Sequence, residues 1–188
     1  MQWRDEALLL GFLLDCIFGD PKGAPHPVVA MGNLISLLEK GLRRIFPKTS
    51  NGEKTAGGIL WLCLVLCSGG LPFGILVLCR RVSPWLGLLA ESLMCWQILA
   101  AKSLKTETMK VYDALGTGDL EKSRYAVSMI VGRDTASLDE KAVTRAAVET
   151  VAENTSDGVI APILYFAVGG APLAFVYKAL TTMDSMLG

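Results

Sequence analysis

GGILWLCLVLCSGGLPFGILVLC, residues Gly57–Cys79, runs for 23 residues without an Asp, Glu, Lys, Arg or His. The hydrocarbon core of a bilayer takes about 20 apolar residues in helical form, so this stretch predicts a membrane span. Val82–Ala101 follows with Glu91 and Gln97 as its only strongly polar members and predicts a second. Only Arg80 and Arg81 separate the two, so they form a helical hairpin whose outer ends share one side. That side carries Lys40, Arg43, Arg44, Lys48 and Lys54 before the hairpin and Lys102, Lys105 and Lys110 after it. The excess of basic residues over the two arginines of the turn places it in the cytoplasm.

The totals agree with a membrane environment. Hydrophobic residues make up 52% of the 188 and charged ones 19%, with mean hydropathy +0.44. One aqueous core of this size does not hide such an excess. Eighteen basic side chains balance eighteen acidic ones, so no net field draws nucleic acid or an acidic partner. Cys16, Cys63, Cys67, Cys79 and Cys95 form no CxxC pair, which points to small buried hydrophobes and not to a disulfide framework or zinc.

The flanking segments divide the chain into residues 1–56, 57–101, 102–157 and 158–188. Asp5 and Glu6 precede the first apolar run and no A-x-A site follows, so the start does not read as a secretory signal. Ala7–Phe18 is short for a span and contains Asp15, which suits a tilted or re-entrant helix. A Pro- and Gly-rich loop follows to Pro27. From Met31 to Phe46 the apolar positions Leu34, Leu37, Leu38, Leu42 and Ile45 recur at helical spacing, as in an amphipathic helix at the membrane surface, and Pro47–Lys54 reads as a polar linker. Residues 102–157 read as three soluble helices. The first ends at Gly116, the second opens at Asp119, and the third opens at Ser137, where Glu140 completes an S-x-x-E capping box. Gly158–Tyr177 is again uncharged, but Pro162, Gly169, Gly170 and Pro172 make it a broken or kinked span. The expected fold class is an all-α integral membrane protein: a hairpin of spans and a broken span, with a three-helix soluble segment between them.

The densest polar pattern is on the third soluble helix. Arg145, Glu149 and Glu153 fall at successive i, i+4 positions, and Asn154, Thr155, Ser156 and Asp157 follow where the chain returns to the membrane. Such oxygen donors suit a hard cation like Mg²⁺ completed by phosphate oxygens, and equally an ordinary solvated helix face. Arg133 and Asp134 suit a phosphate clamp or a loop ion pair. His26, the only histidine, suits proton transfer near Asp15 and Asp20, a hydrogen bond to a polar substrate, or a rigidified loop. Glu91 is an ionisable group inside a span, and Lys178 is placed to snorkel. Walker A, G-x-G-x-x-G, G-x-S-x-G and H-E-x-x-H patterns are absent.

Three groups of motifs carry a family resemblance. They are Leu14-Asp15 with Phe18-Gly19-Asp20-Pro21 and Pro25-His26-Pro27-Val28; Ile130-Val131-Gly132-Arg133-Asp134-Thr135 with Arg145 through Pro162; and Gly169-Gly170-Ala171-Pro172, Tyr177-Lys178-Ala179 and Met183-Asp184-Ser185-Met186. Together they resemble the CobD/CbiB proteins of cobalamin biosynthesis, the adenosylcobinamide-phosphate synthases, across essentially the whole chain. The resemblance implies a multi-pass enzyme of the cell (inner) membrane that joins aminopropanol, or its O-phosphate, to the free propionate carboxyl of adenosylcobyric acid. Making an amide from a carboxylate is uphill, so ATP and Mg²⁺ are the expected cofactors. On these motifs, chemistry nominates Glu149, Glu153 and Asp157 as catalytic, Glu153 and Asp157 as metal ligands, and Asn154 and Thr155 as substrate- or nucleotide-binding. Arg133, Asp134 and Lys178 are the candidates for nucleotide or phosphate. Asp20 and His26 would meet the corrinoid or the amine, and Asp184 and Ser185 would close the site.

In relatives, as the resemblance has it, a further stretch follows the last motif. The chain is therefore expected to be truncated, or to have its remainder on another polypeptide or to work as a homo-oligomer, with an incomplete site on its own. Two other classes stay open: a membrane transporter subunit, suggested by the broken span and Glu91, and an inactive fragment or scaffold.

Overall fold

The computed structural model describes residues 2–20, 26–132 and 134–187. Among these residues eight α-helices follow one another: α1 (Gln2–Phe18), α2 (Pro27–Ile45), α3 (Ser50–Val82), α4 (Pro84–Ile98), α5 (Ala101–Gly116), α6 (Leu120–Ser128), α7 (Glu140–Thr155) and α8 (Ala161–Leu187), with a π-helical turn, Ser156–Ile160, joining the last two. Among the described residues, Ser50–Val82, Pro84–Gly116 and Glu140–Leu187 are long and apolar enough to cross a membrane. The protein is an all-α membrane protein.

Helix ends follow their local chemistry. Thr49 accepts from the Gly52 N–H and starts α3 at Ser50, so the stretch expected to be a linker already contains the first turn of the long span. Pro84 opens α4 directly after the Arg80–Arg81 turn. Asp119 caps α6 by accepting from Lys122, as its sequence position predicts. The third soluble helix is capped by Asp139, which accepts from the Ala142 N–H at 2.7 Å, and not by Ser137. The carboxylate two residues further on wins because it is both a good N-cap acceptor and a negative charge at the positive helix end.

The helices build two cores. In the larger, Ala7, Ile35, Leu64, Cys95, Phe166 and Ala174 of α1–α4 and α8 are fully buried, and Met31 and Ile35 seat α2 against it. Leu10, Leu13, Leu66, Phe73, Leu78, Trp85, Leu89 and Val168 point outward around this bundle, the sidedness expected of a lipid-facing surface. The smaller core, Val111, Val127, Val143, Ala146 and Ala147, holds α5–α7 together as a cap. Arg124 ties it across, donating from Nε to the Leu138 carbonyl and pairing with Glu121.

Within the bundle α1 runs parallel to α4. Trp3 meets Trp85 edge to face at one end, and Phe18 meets Trp96 at the other. At Gly11 a Cβ would lie 2.4 Å from that of Cys95, so glycine is what lets the two backbones close up.

The break in α8 is a reversal. Gly170 has φ 68° and ψ −165°, a combination essentially confined to glycine, and Pro172 starts the returning limb. Twelve residues of straight helix span about 18 Å, yet the rings of Tyr165 and Tyr177 stack with centroids 4.5 Å apart. Tyr177 also donates its hydroxyl to Asp157, twenty residues back, at 3.2 Å. Residues 161–169 therefore enter the bundle and residues 171–187 come back toward the cap. At the tip, Arg4 donates to the Val168 carbonyl at 2.7 Å, answering a carbonyl that the broken helix leaves without its usual partner. Glu91, 2% exposed, pairs there with Arg80.

Candidate functional site

Two backbone discontinuities meet where the cap joins the bundle. Leu99 and Ala100 interrupt the path from α4 to α5, and the π turn interrupts the path from α7 to α8. Pro162 has no N–H to offer the Gly158 carbonyl four residues earlier, and the Ala100 N–H takes that carbonyl instead at 3.1 Å. On the other side of the break, buried Asp15 accepts from the Ala101 N–H at 2.8 Å and so receives the N-terminus of α5.

Around this junction lies a cavity of ≈ 460 Å³, of a size usual for small-molecule sites. α5 contributes Ser103 and Glu107, the α7–π segment contributes Glu153, Asn154 and Asp157, and the returning limb of α8 contributes Lys178, Thr181, Thr182 and Ser185. The fold-back at Gly170 makes the arrangement possible, since it returns Lys178 to the level of Asp157. Among the described residues, three carboxylates thus share one chamber with a single lysine ammonium. Thr181 and Thr182 both donate to the Lys178 carbonyl, which turns their hydroxyl oxygens inward along the helix.

A second set of polar groups reaches the chamber through Ser103. Its hydroxyl donates to Asp20 Oδ2 at 2.8 Å and accepts from the Asp20 N–H at 3.3 Å. Asp20 Oδ1 lies 3.4 Å from His26 Nε2, while His26 Nδ1 accepts from the Val28 N–H as the cap of α2.

Of the residues nominated from sequence, Glu153, Asn154, Asp157, Lys178 and Ser185 line the cavity, and Asp20 and His26 adjoin it through Ser103. Glu149 pairs with Arg145 at 2.8 Å on the outer face of α7 and is not in the lining. Thr155 is not in the lining either, Asp134 holds a tight turn through the Ala136 N–H, and Asp184 is exposed. Arg133 lies outside the described residues. Ser103, Glu107, Thr181 and Thr182 were not nominated; the signal available was the i, i+4 spacing of Ser103 and Glu107 on α5. Among the described residues no three His, Cys, Asp or Glu side chains gather to hold a metal by themselves. Glu153, Asn154 and Asp157 are the oxygen donors that fit a Mg²⁺ ion keeping water or phosphate in its remaining positions.

Comparison with known proteins identifies the relatives. The family model described as CobD/CbiB protein matches residues 8–188. A cobalamin biosynthesis protein CobD of Geobacter metallireducens is 51% identical over 181 residues, which cover 96% of this chain and 56% of that protein. A CobD of Clostridium perfringens is 45% identical over the same shares, and a CbiB of Salmonella arizonae is 43% identical over 97% of this chain and 57% of its own length. The chain thus spans little more than half the length of these curated relatives. No solved structure matches. With a family model that covers nearly every residue, including the junction that builds the cavity, the chain belongs to the CobD/CbiB family.

Proposed function

We propose that this chain carries the ATP-dependent amide-forming site of cobalamin biosynthesis, joining aminopropanol or its O-phosphate to the propionate carboxyl of adenosylcobyric acid. The relatives' names supply the biosynthetic role. The observation that carries the chemistry is the chamber in which Glu153, Asn154 and Asp157 face Lys178 and Ser185 at the membrane–cap junction. Amide formation needs a phosphorylated carboxyl, an amine and a way to hold multiple negative charges together. Lys178 would meet phosphate oxygens, and Glu153 and Asp157 would hold Mg²⁺, which when bound neutralises charge on the transferring phosphoryl group. The protein would sit in the cell membrane with the cap on the cytoplasmic side, where ATP is available.

Purified protein in lipid nanodiscs, given ATP, Mg²⁺, adenosylcobyric acid and the amine, is expected to form the amide with stoichiometric release of ADP and inorganic phosphate. Glu153→Gln and Asp157→Asn are each expected to lower kcat by about 10²-fold or more, the scale of losing an electrostatic stabiliser of the transition state. Full activity in both variants would remove the metal assignment, and absence of ATP-dependent product from the wild-type protein would remove the function.

A second reading has one feature in its favour. A helix broken midway, with buried Glu91 at its tip, is also how transporters line a solute path. Flux of unmodified corrinoid or amine into sealed vesicles would support that reading over the first.

A further inference from the structure

The chamber presents a chain of three side chains that the carboxyl-activating chemistry leaves unused: Ser103, Asp20 and His26. We propose that Asp20, acting through the Ser103 hydroxyl, is the base that deprotonates the incoming amine, and that His26 is a positioning residue that fixes Asp20. This rests on the amide-forming reading above.

The amine is an ammonium ion at neutral pH and has no lone pair to attack with, so some group must take a proton as the new bond forms. Asp20 is oriented for this at three points. Its own N–H donates to Ser103 Oγ at 3.3 Å, its Oδ2 receives the Ser103 hydroxyl at 2.8 Å, and its Oδ1 faces His26 Nε2 at 3.4 Å. His26 does not serve as the terminal acceptor. Its Nδ1 is occupied as the acceptor of the Val28 N–H, which keeps the ring hydrogen on Nε2, the nitrogen 3.4 Å from Asp20 Oδ1. That contact lies on the Oδ1 side of the carboxylate and leaves Oδ2 as the oxygen presented to Ser103.

The proton path balances as follows. The ammonium N–H passes its proton to Ser103 Oγ while the Ser103 hydroxyl proton moves to Asp20 Oδ2. The freed nitrogen lone pair attacks the carboxyl carbon activated by ATP, the C–N bond forms, and the C–O bond to phosphate breaks with its electron pair leaving on the phosphate. The second nitrogen proton is released to water. Charged neighbours face Asp20 from several elements: Asp15 on α1, His26 ahead of α2, and Lys178 on α8. Lys102 on α5 holds the adjoining backbone through the Ile17 carbonyl.

The test compares two acceptors for the same activated carboxyl: aminopropanol, which must lose a proton, and hydroxylamine, which is already neutral at pH 7 and yields a hydroxamate. The wild-type protein in nanodiscs is expected to use both in the presence of ATP. Asp20→Asn and Ser103→Ala are each expected to lower kcat for aminopropanol by about 10²-fold or more, with hydroxamate formation close to the wild-type rate. His26→Asn is expected to give a smaller loss with the same selectivity. Equal losses for both acceptors, or no loss with aminopropanol, would overturn the assignment while leaving the function intact. A wild-type protein that forms neither product would overturn the function and this inference with it.

Discussion

Replacing Gly170 by alanine puts the fold-back of α8 under direct stress. At φ 68° and ψ −165° an L side chain is strained, which costs about 1–3 kcal/mol from the backbone alone. The added Cβ would also lie 2.6 Å from Glu91 Oε1, closer than carbon and oxygen approach without displacement. Glu91 is 2% exposed and paired with Arg80, whose side chain is 53% exposed. Breaking a buried pair outright costs about 3–5 kcal/mol, and the exposed arginine keeps this instance toward the low end. Since Glu91 will yield only in part, the sum is about 2–5 kcal/mol. Gly70→Ala is the internal control. Gly70 sits on regular α3 helix, and among the described residues nothing beyond its own turn of backbone comes within 4 Å of the new carbon, so the same chemical change should stabilise the protein by about 0.5–1 kcal/mol. Equilibrium unfolding in mixed micelles, followed by far-ultraviolet circular dichroism, reads both. If Gly170→Ala falls within about 1 kcal/mol of Gly70→Ala, the reversal does not have the geometry described.

The cap provides two further tests. Asp139→Ala removes the acceptor for the Ala142 N–H and should destabilise α7 by about 1 kcal/mol, seen as faster amide exchange in its first turn; unchanged exchange would return the capping role to Ser137. At Asp119, the hydrogen bond from the Lys122 N–H, helped by the Lys122 side chain, holds the carboxyl below its ordinary 3.8. A depressed folded-state value means the unfolded chain binds the proton more readily, so this contribution is complete above pH 3.8 and fades as pH falls through the lower folded value. Asp119→Asn should therefore flatten the acid limb of cap unfolding, and an unchanged limb would contradict it.

Much of the architecture is written locally. A charge-free run of bilayer length, Pro84 after a pair of arginines and Asp119 after Gly-Thr-Gly each act within a turn or two, so the spans, the tight turn and the α6 start follow from the sequence. The sequence reading puts the α7 cap at Ser137 and the structure has it at Asp139, because both offer an acceptor near Glu140 and only the backbone path chooses between them. The reversal at Gly170 lies beyond local reading for a different reason. Gly-Gly-Ala-Pro predicts a break, but a kink and a U-turn have the same composition, and the deciding contacts, Tyr165 with Tyr177 and Asp157 with Tyr177, join residues far apart in sequence. The same reversal explains how the candidate site divided. Glu153 and Asp157 were nominated from one motif and Lys178 from another, and the fold-back brings them into one chamber. Glu149 shares the helix but points to Arg145, and Ser103 and Glu107 look like any solvated helix face until α8 returns beside them.

The account stands on both limbs of α8 ending on one side of the membrane. Single cysteines at Glu153 and Asp184, introduced after replacement of the five native free cysteines, test this in sealed vesicles with a membrane-impermeant maleimide. A straight helix would hold these positions about 46 Å apart, on opposite faces of the bilayer. The reversal predicts that both are labelled from the same face, and labelling from opposite faces would contradict it.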